Sequence, residues 1–361
     1  MHDERCDALA VAVPGEVEVI GVELFAGAGG YGWRNRPAEH FRKVTLFQGT
    51  SERPPSRFRL AFRIVQACLK ARADTVFMCG HGLPGIFLAA LTLRLSGRRL
   101  IILTDSKWDD RRRYAFSEFL KSFYYAPYHG ALVPSRRSAD YMRFLGLNRR
   151  PIAMYYYNRP MARIREAAGG EPAPNGVPHA ERSFLCIARL VEKKNHRILF
   201  QAYAVYAGQH RAPRRLVLCG SGPLEEELRA LAQSLGIAEL VEFRGWQDEI
   251  QVARQLLGTL ALLLPSSEEQ FGIAVIEALA LGVPPIVSDK VGARDLYLRS
   301  GVNGFIVEED NPEGLAFLMG LLHEDEQLWR RMAASALERS READVSLFVE
   351  SALALAQVRS R

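Results

Sequence analysis

At 361 residues, 48% of them apolar and 24% charged, the chain can bury sizeable cores and is longer than one ordinary domain requires, so two domains are expected. Its longest apolar stretches, LPGIFLAALTL and LLGTLALLLP, are about half of what a membrane span needs, and no signal-peptide pattern opens the chain. The charge is split: residues 1–165 hold 27 Lys and Arg against 14 Asp and Glu, whereas residues 166–361 hold 20 against 27.

A membrane-spanning protein is therefore disfavoured, and a cytoplasmic one is expected. The five cysteines, Cys6, Cys68, Cys79, Cys186 and Cys219, show no C-x-x-C spacing and read as small core residues in a reducing compartment. The basic first half is expected to meet something anionic, such as a membrane surface, a phosphorylated acceptor or nucleic acid.

In chain order, VEVIGVELF and KVTLF read as strands, followed by a helix over 59–71, a strand TVFMCG, a helix over 84–95 and a strand RLIILTD. Next come a helix over 114–124, a strand GALVPS and a helix over 138–145. In the 114–124 helix, Phe116, Phe119 and Phe123 recur at helical spacing behind Arg111, Arg112 and Arg113, a periodicity that reads as a core-facing stripe in preference to a membrane anchor. Residues 166–182, rich in Gly, Pro, Ala and Asn without an apolar period, read as a linker. Beyond it the rhythm returns: SFLCIAR, a helix over 197–207, RLVLCGSG, a helix over 224–235, LVEFRGW, LALLLPS, a helix over 273–281, PPIVSD and GFIVEE.

Strands alternating with helices imply parallel sheets with right-handed crossovers. The expected fold is α/β, with two doubly wound Rossmann-like domains at 1–165 and 183–340 and a last helix within 341–361. Open parallel sheets bind ligands at the carboxyl ends of their strands, so two facing sheets would place the site in an interdomain cleft.

Gly27, Gly29 and Gly32 have the spacing G-x-G-x-x-G after the first strand. A dinucleotide site needs a helix directly behind such glycines, because that helix's amides hold the pyrophosphate. Pro37 interrupts the stretch and leaves under two turns before the next strand. A flexible strand-to-strand connection is the favoured reading, and nicotinamide binding is not expected.

Four features of the second half point to one chemistry. In IARLVEKKN a strand ends, and Arg189 is followed five residues later by Lys194; a guanidinium fork and a point charge on one loop suit a diphosphate, although either can be a solvated surface cation. In CGSGPLEEEL, Gly220 and Gly222 turn the chain tightly into a helix, which a compact turn explains and which also leaves bare backbone for a ligand. In FRGW, Gly245 and Trp246 close a strand, either as a packed indole or as backbone lining a nucleobase. In SSEEQFGIAVIEALALGVPPIVSD, Gly272 breaks the chain before a helix, so the amides of Phe271, Gly272 and Ile273 can hold a phosphate or sugar oxygen. Glu269 precedes that helix and Glu277 lies inside it among apolar neighbours, where a carboxylate needs partners such as a ribose diol.

The E-x7-E spacing from Glu269 to Glu277 with its internal FG, the R-x4-K of Arg189 and Lys194, GSGP, and EALALGVPPIVSD together resemble the retaining GT-B glycosyltransferases of family GT4, over roughly residues 183–310. The resemblance implies that Arg189 and Lys194 hold a donor diphosphate, Glu277 the ribose hydroxyls and Glu269 the hydroxyls of the transferred sugar. It further implies that the amides of Phe271 to Ile273 meet sugar oxygens and phosphate, that the loops at Gly220, Gly222, Gly245 and Trp246 line the base pocket, and that the last helix crosses back to the first domain. The implied reaction moves a hexose-type sugar from a nucleoside diphosphate donor, UDP or GDP, to a saccharide or lipid-linked acceptor of cell-surface polysaccharide or glycoconjugate synthesis. No D-x-D occurs, so no metal or other cofactor is expected.

The first half follows the family in outline. Members begin with a strand and a Gly-rich loop; residues 1–10 read as the helix behind such a loop, so the first strand is expected to be missing. Where members often carry a His after the strand matching LIILTDS, this chain has Thr104, Asp105 and Ser106. Acceptor-side candidates are Asp105, Arg111 and His81 of MCGHGLPG, although a satisfied loop histidine is the favoured reading of the last. The arginines and the basic half favour an acceptor at a membrane surface and a peripheral position on its inner face; nucleic acid is not expected, since no binding fold supports it. Other readings are a catalytically silent GT-B scaffold that binds a partner, an epimerase or phosphorylase on the same architecture, and a glycosylating enzyme of small-molecule natural products.

Overall fold

The computed structural model describes residues 2–25, 38–47, 55–79 and 83–358, and its two units divide between Arg159 and Pro160 and again between Asp344 and Val345. The Gly27, Gly29 and Gly32 motif and His81 lie outside the described residues.

The first unit runs α1 (His2–Ala12), β1 (Ile20–Phe25), β2 (Arg42–Phe47), α2 (Arg57–Lys70), β3 (Thr75–Met78), α3 (Pro84–Leu95), β4 (Arg99–Leu103), α4 (Ala115–Tyr125), β5 (Gly130–Leu132), α5 (Arg136–Met142) and β6 (Ile152–Ala153). The Ser56 hydroxyl caps α2 by accepting from the Arg59 amide at 3.4 Å. Leu60, Ile64 and Cys68, four residues apart, form its buried stripe. Pro84 opens α3 in a position where its missing N–H costs nothing.

All pairings are parallel, but they fall into two ladders, β1-β2 and β3-β4-β5-β6. In a doubly wound sheet of order 3-2-1-4-5-6 the first strand joins the two halves. Among the described residues no strand joins the two ladders, and β1 and β3 are mostly half-buried where β4 and β5 are mostly buried.

The second unit runs α6 (Met161–Ala168), β7 (Ser183–Ile187), α7 (His196–Gln209), β8 (Leu216–Cys219), α8 (Glu225–Ser234), β9 (Val241–Phe243), α9 (Glu249–Leu257), β10 (Thr259–Leu264), α10 (Ile273–Ala280), β11 (Pro285–Ser288), α11 (Arg294–Tyr297), β12 (Phe305–Val307), α12 (Pro312–Glu324) and α13 (Glu326–Arg339). Its parallel sheet has the order β12-β11-β10-β7-β8-β9, a complete doubly wound arrangement whose strand order reverses between β7 and β10. Phe184, Leu199, Tyr203, Leu263, Ile286 and Trp329 are among the residues of its core. The chain then returns to the first unit as α14 (Val345–Ala356), whose Phe348, Val349 and Leu353 pack with Ile101, Leu132 and Tyr156.

The segment expected to be a linker, 166–182, is part of the second unit. Gly169 caps α6 in the left-handed region at φ 70°, its amide bonding the carbonyls of Arg165 and Glu166. Arg182, fully buried, donates to the carbonyls of Asn175, Val177, Leu257 and Thr259 at 2.9–3.1 Å and lies over the Trp329 ring at 4.6 Å. Gly and Pro there supply turns that wrap around a buried guanidinium.

Two expectations about burial need correction. Cys68, Cys186 and Cys219 are buried, but Cys79, one residue past β3, is exposed. The aromatic stripe of α4 faces solvent instead of a core: Phe116, Phe119 and Phe123 are exposed, while Glu118 is buried with Tyr141 and Lys121 as hydrogen-bond partners. The period identified a helix face correctly and assigned it to the wrong side.

Candidate functional site

At the carboxyl end of β7 the chain passes through Arg189, which is exposed, and enters a single 3-10 turn at Glu192–Lys194. Asn195 then takes the left-handed conformation at φ 57°, and its side chain donates to the Glu309 carbonyl at 2.8 Å. This fixes the exit of Lys194, whose ammonium pairs with the Glu269 carboxylate beyond β10. The Lys193 carbonyl accepts from the amides of Ser267 and Glu268 at 3.0 and 3.2 Å, holding the two strand-end loops together. The pair thus spans the switch point between β7 and β10, the place where open α/β sheets bind ligands.

Gly272, at φ 89°, is the N-cap of α10 and offers no side chain to the helix's first amides. A Cβ at Gly272 would stand 3.0 Å from Val291 and 3.4 Å from Glu269, so the turn is tight as well as left-handed. Phe271 packs edge-on to Tyr297 at 6.0 Å, and its carbonyl accepts from the Ala293 amide at 2.8 Å. Glu277, on the second turn of α10, is half-buried.

The loops after β8 and β9 join the same strand ends. The Gly220 amide donates to the Gly245 carbonyl at 2.7 Å, and the Leu190 amide to the Ser221 carbonyl at 3.0 Å. Cβ atoms at Gly220 and Gly222 would lie 1.9 Å from the Ala188 carbonyl oxygen and 2.3 Å from that of Leu190. These glycines therefore let the loop carrying Arg189 lie against the β8 loop, the compact-turn reading of GSGP. Trp246 is half-exposed at the end of this row of loops and is not the packed indole of the alternative reading.

Cations, an uncapped helix N-terminus and closely packed backbone at one sheet edge are the means by which such edges hold anions. Arg189, Lys194, Glu269, Phe271, Gly272, Ile273, Gly220, Gly222, Gly245 and Trp246 are all on loops leaving β7, β8, β9 and β10 or at the start of α10. Asp105 and Arg111 belong to the first unit: Asp105, half-buried after β4, accepts from the Tyr157 hydroxyl at 2.8 Å, and Arg111 is exposed.

Several residues of the second-unit site escaped sequence reasoning. The Ser288 hydroxyl donates to the Ser266 carbonyl at 2.5 Å, while the Ser266 hydroxyl, beside the Glu269 loop, is buried with no hydrogen-bond partner among the described residues. Gly292 brings the loop after β11 against that of Glu269, since its Cβ would stand 2.0 Å from the Gln270 carbonyl oxygen. His196 is buried with Cys186 3.9 Å from its Nε2; burial, with the charge of Lys194 added, pushes its pKa down to about 4. The Asn-His junction after two lysines was a legible sign of a left-handed cap, whereas nothing local marks Ser266.

Two units built on parallel sheets have the fold of the GT-B glycosyltransferases among the solved structures that this chain resembles. Residues 171–339 match the family model of glycosyl transferases group 1. The chain is 32% identical over 169 residues to a D-inositol 3-phosphate glycosyltransferase of Streptomyces griseus, covering 45% of this chain and 36% of that one. It is 24% identical over 320 residues to the N-acetyl-alpha-D-glucosaminyl L-malate synthase of Bacillus anthracis, covering 84% and 79%. The structure of Anabaena HepE in complex with UDP-glucose superposes with a TM-score of 0.67 at 18% identity, covering 88% and 87%. The chain spans 36–46% of the length of the curated relatives it matches at 30% identity or better.

Proposed function

We propose that the chain is a retaining, metal-independent glycosyltransferase that moves a hexose-type sugar from UDP or GDP to a saccharide or lipid-linked acceptor of cell-surface glycoconjugate synthesis. The observation that carries this reading is the Lys194–Glu269 pair across the switch point, with Arg189 on the same loop and the uncapped start of α10 beside it. The group 1 match over the second unit and the UDP-glucose held by Anabaena HepE support a nucleotide-sugar donor.

Departure of the nucleoside diphosphate builds negative charge on its terminal phosphate. Arg189, Lys194 and the first amides of α10 offset that charge from fixed positions, which costs no reorganisation during the reaction. The Glu269 carboxylate accepts from hydroxyls of the sugar, and Glu277 from those of the ribose. The acceptor hydroxyl loses its proton to the departing phosphate, and the configuration at the anomeric carbon is kept.

Thermal stabilisation by UDP, GDP, ADP and dTDP tests the donor site. A ligand at 100 times its dissociation constant adds about 2.7 kcal/mol, and Lys194→Ala and Glu277→Ala are expected to remove about half of that gain or more. Incubation with the matching nucleotide sugar and analysis of the product then separates transfer from epimerisation, phosphorolysis or silence. No stabilisation by any nucleoside diphosphate would overturn the reading.

A further inference from the structure

We propose that the outward face of α4 docks the first unit onto an anionic lipid surface. Phe116, Phe119, Leu120 and Phe123 follow the i, i+3, i+4, i+7 pattern of one helix stripe, and all four are exposed, by 46–74%. The Phe119 and Phe123 rings meet edge-on at 5.2 Å, so the stripe is continuous.

The opposite face is polar and built in. Glu118 is buried, accepts from the Tyr141 hydroxyl and from the Lys121 ammonium at 2.7 Å, and lies 3.6 Å from Arg113. Arg113 in turn donates to Asp110 and to the Lys107 carbonyl, and its guanidinium stands 4.5 Å from the Tyr141 ring centroid. A soluble helix normally buries its apolar stripe and solvates its carboxylate. Here both are reversed, and a satisfied polar network holds the reversal in place.

Charge identifies the occupant. Glu118 is the only acid in residues 111–126 and is internal, so the segment presents no exposed carboxylate, while Arg111 and Arg112 stand exposed at the head of the stripe. Aromatic side chains beside arginines match the boundary between acyl chains and anionic headgroups, where the rings enter and the guanidinium groups meet phosphate. This deepens the proposed function, resting on it only in that a lipid-linked acceptor lies at such a surface.

The test is cosedimentation of the full chain with vesicles of phosphatidylcholine alone or mixed with phosphatidylglycerol, at low and high salt. Wild type is expected to bind the mixed vesicles, less so in high salt, and Phe116→Ser/Phe119→Ser/Phe123→Ser to bind about tenfold or more weakly. Phe119→Trp supplies a second readout that does not depend on the triple variant folding: its emission should shift to the blue on mixed vesicles and be quenched by brominated lipid. Absence of wild-type binding, equal binding by the triple variant, or an unshifted Phe119→Trp spectrum would each overturn the proposal. So would a wild-type dimer that the triple variant turns into a monomer, since a second copy would then cover the stripe. Stabilisation of the triple variant by the nucleoside diphosphate that stabilises wild type is measured alongside: retained stabilisation with lost vesicle binding supports docking, whereas absence of wild-type stabilisation by UDP, GDP, ADP and dTDP alike counts against the donor site alone.

Discussion

Lys194 and Glu269, 75 residues apart in sequence, form an ion pair across the point where the second sheet reverses its strand order. Their side chains are only 13% and 11% exposed, so water screens the pair weakly, and any anion that enters must share the ammonium with the carboxylate. The two halves of the pair are therefore opposed in their effect on a diphosphate.

Removing the cation strands a nearly buried carboxylate beside the proposed phosphate position. Lys194→Ala should weaken UDP binding at least tenfold, about 1.4 kcal/mol, whereas Glu269→Gln should leave it unchanged or tighten it while abolishing sugar transfer. Calorimetric titration of both variants with UDP, followed by transfer assays, checks the opposition. Equal loss of UDP affinity in the two variants would show that the pair acts only as structural support.

Two glycines of the same loops differ in why they are glycine. At Gly222 a Cβ would stand 2.3 Å from the Leu190 carbonyl oxygen, so Gly222→Ala must push the Arg189 loop away, at about 2 kcal/mol. A Cβ at Gly245 would meet nothing within 4 Å among the described residues and only the φ of 65° opposes it, so Gly245→Ala should cost about 1 kcal/mol. Urea unfolding measures both, and UDP affinity should suffer more in Gly222→Ala.

Arg182 donates to four carbonyls within a wall of backbone. Arg182→Met fills much of the volume but leaves those acceptors unpaired, a loss of about 3 kcal/mol. Arg182→Lys should recover little, because an ammonium lacks the planar fork. Thermal unfolding of the two variants decides whether hydrogen bonding or simple filling holds the segment 166–182 in place.

His196 titrates at about 4 in the folded chain against 6.5 when free, so the folded state holds it neutral. The unfolded chain binds the extra proton as pH falls below 6.5. The stability contributed by the neutral ring is thus complete above pH 6.5 and is lost on the way down through pH 4, by at most about 3 kcal/mol. A series of melting temperatures from pH 7 to pH 4 should fall less steeply in His196→Leu than in wild type; parallel curves would assign the acid sensitivity to other groups.

The elements were legible because their signals are local. The helix over 84–95 has the expected bounds, and the run LALLLPS lies over β10, Thr259–Leu264. The grouping of Arg189, Lys194, Glu269 and Gly272 was legible for a related reason: each lies just after a strand or before a helix, and a parallel sheet gathers such positions on one edge. Ser266 and Gly292 were not legible, since their roles come from a neighbouring loop that the sequence places more than twenty residues away.

By itself the sequence determined the alternation of strand and helix, the parallel architecture and the edge on which the second unit's charged loops gather. Periodicity and turn chemistry act within a few residues, and crossover handedness does the rest. The tertiary structure alone decided which way α4 faces. Its period marks two faces without saying which is inside, and that choice rests on Tyr141, 23 residues beyond Glu118, whose hydroxyl makes burial of the carboxylate tolerable and leaves the phenylalanines outside.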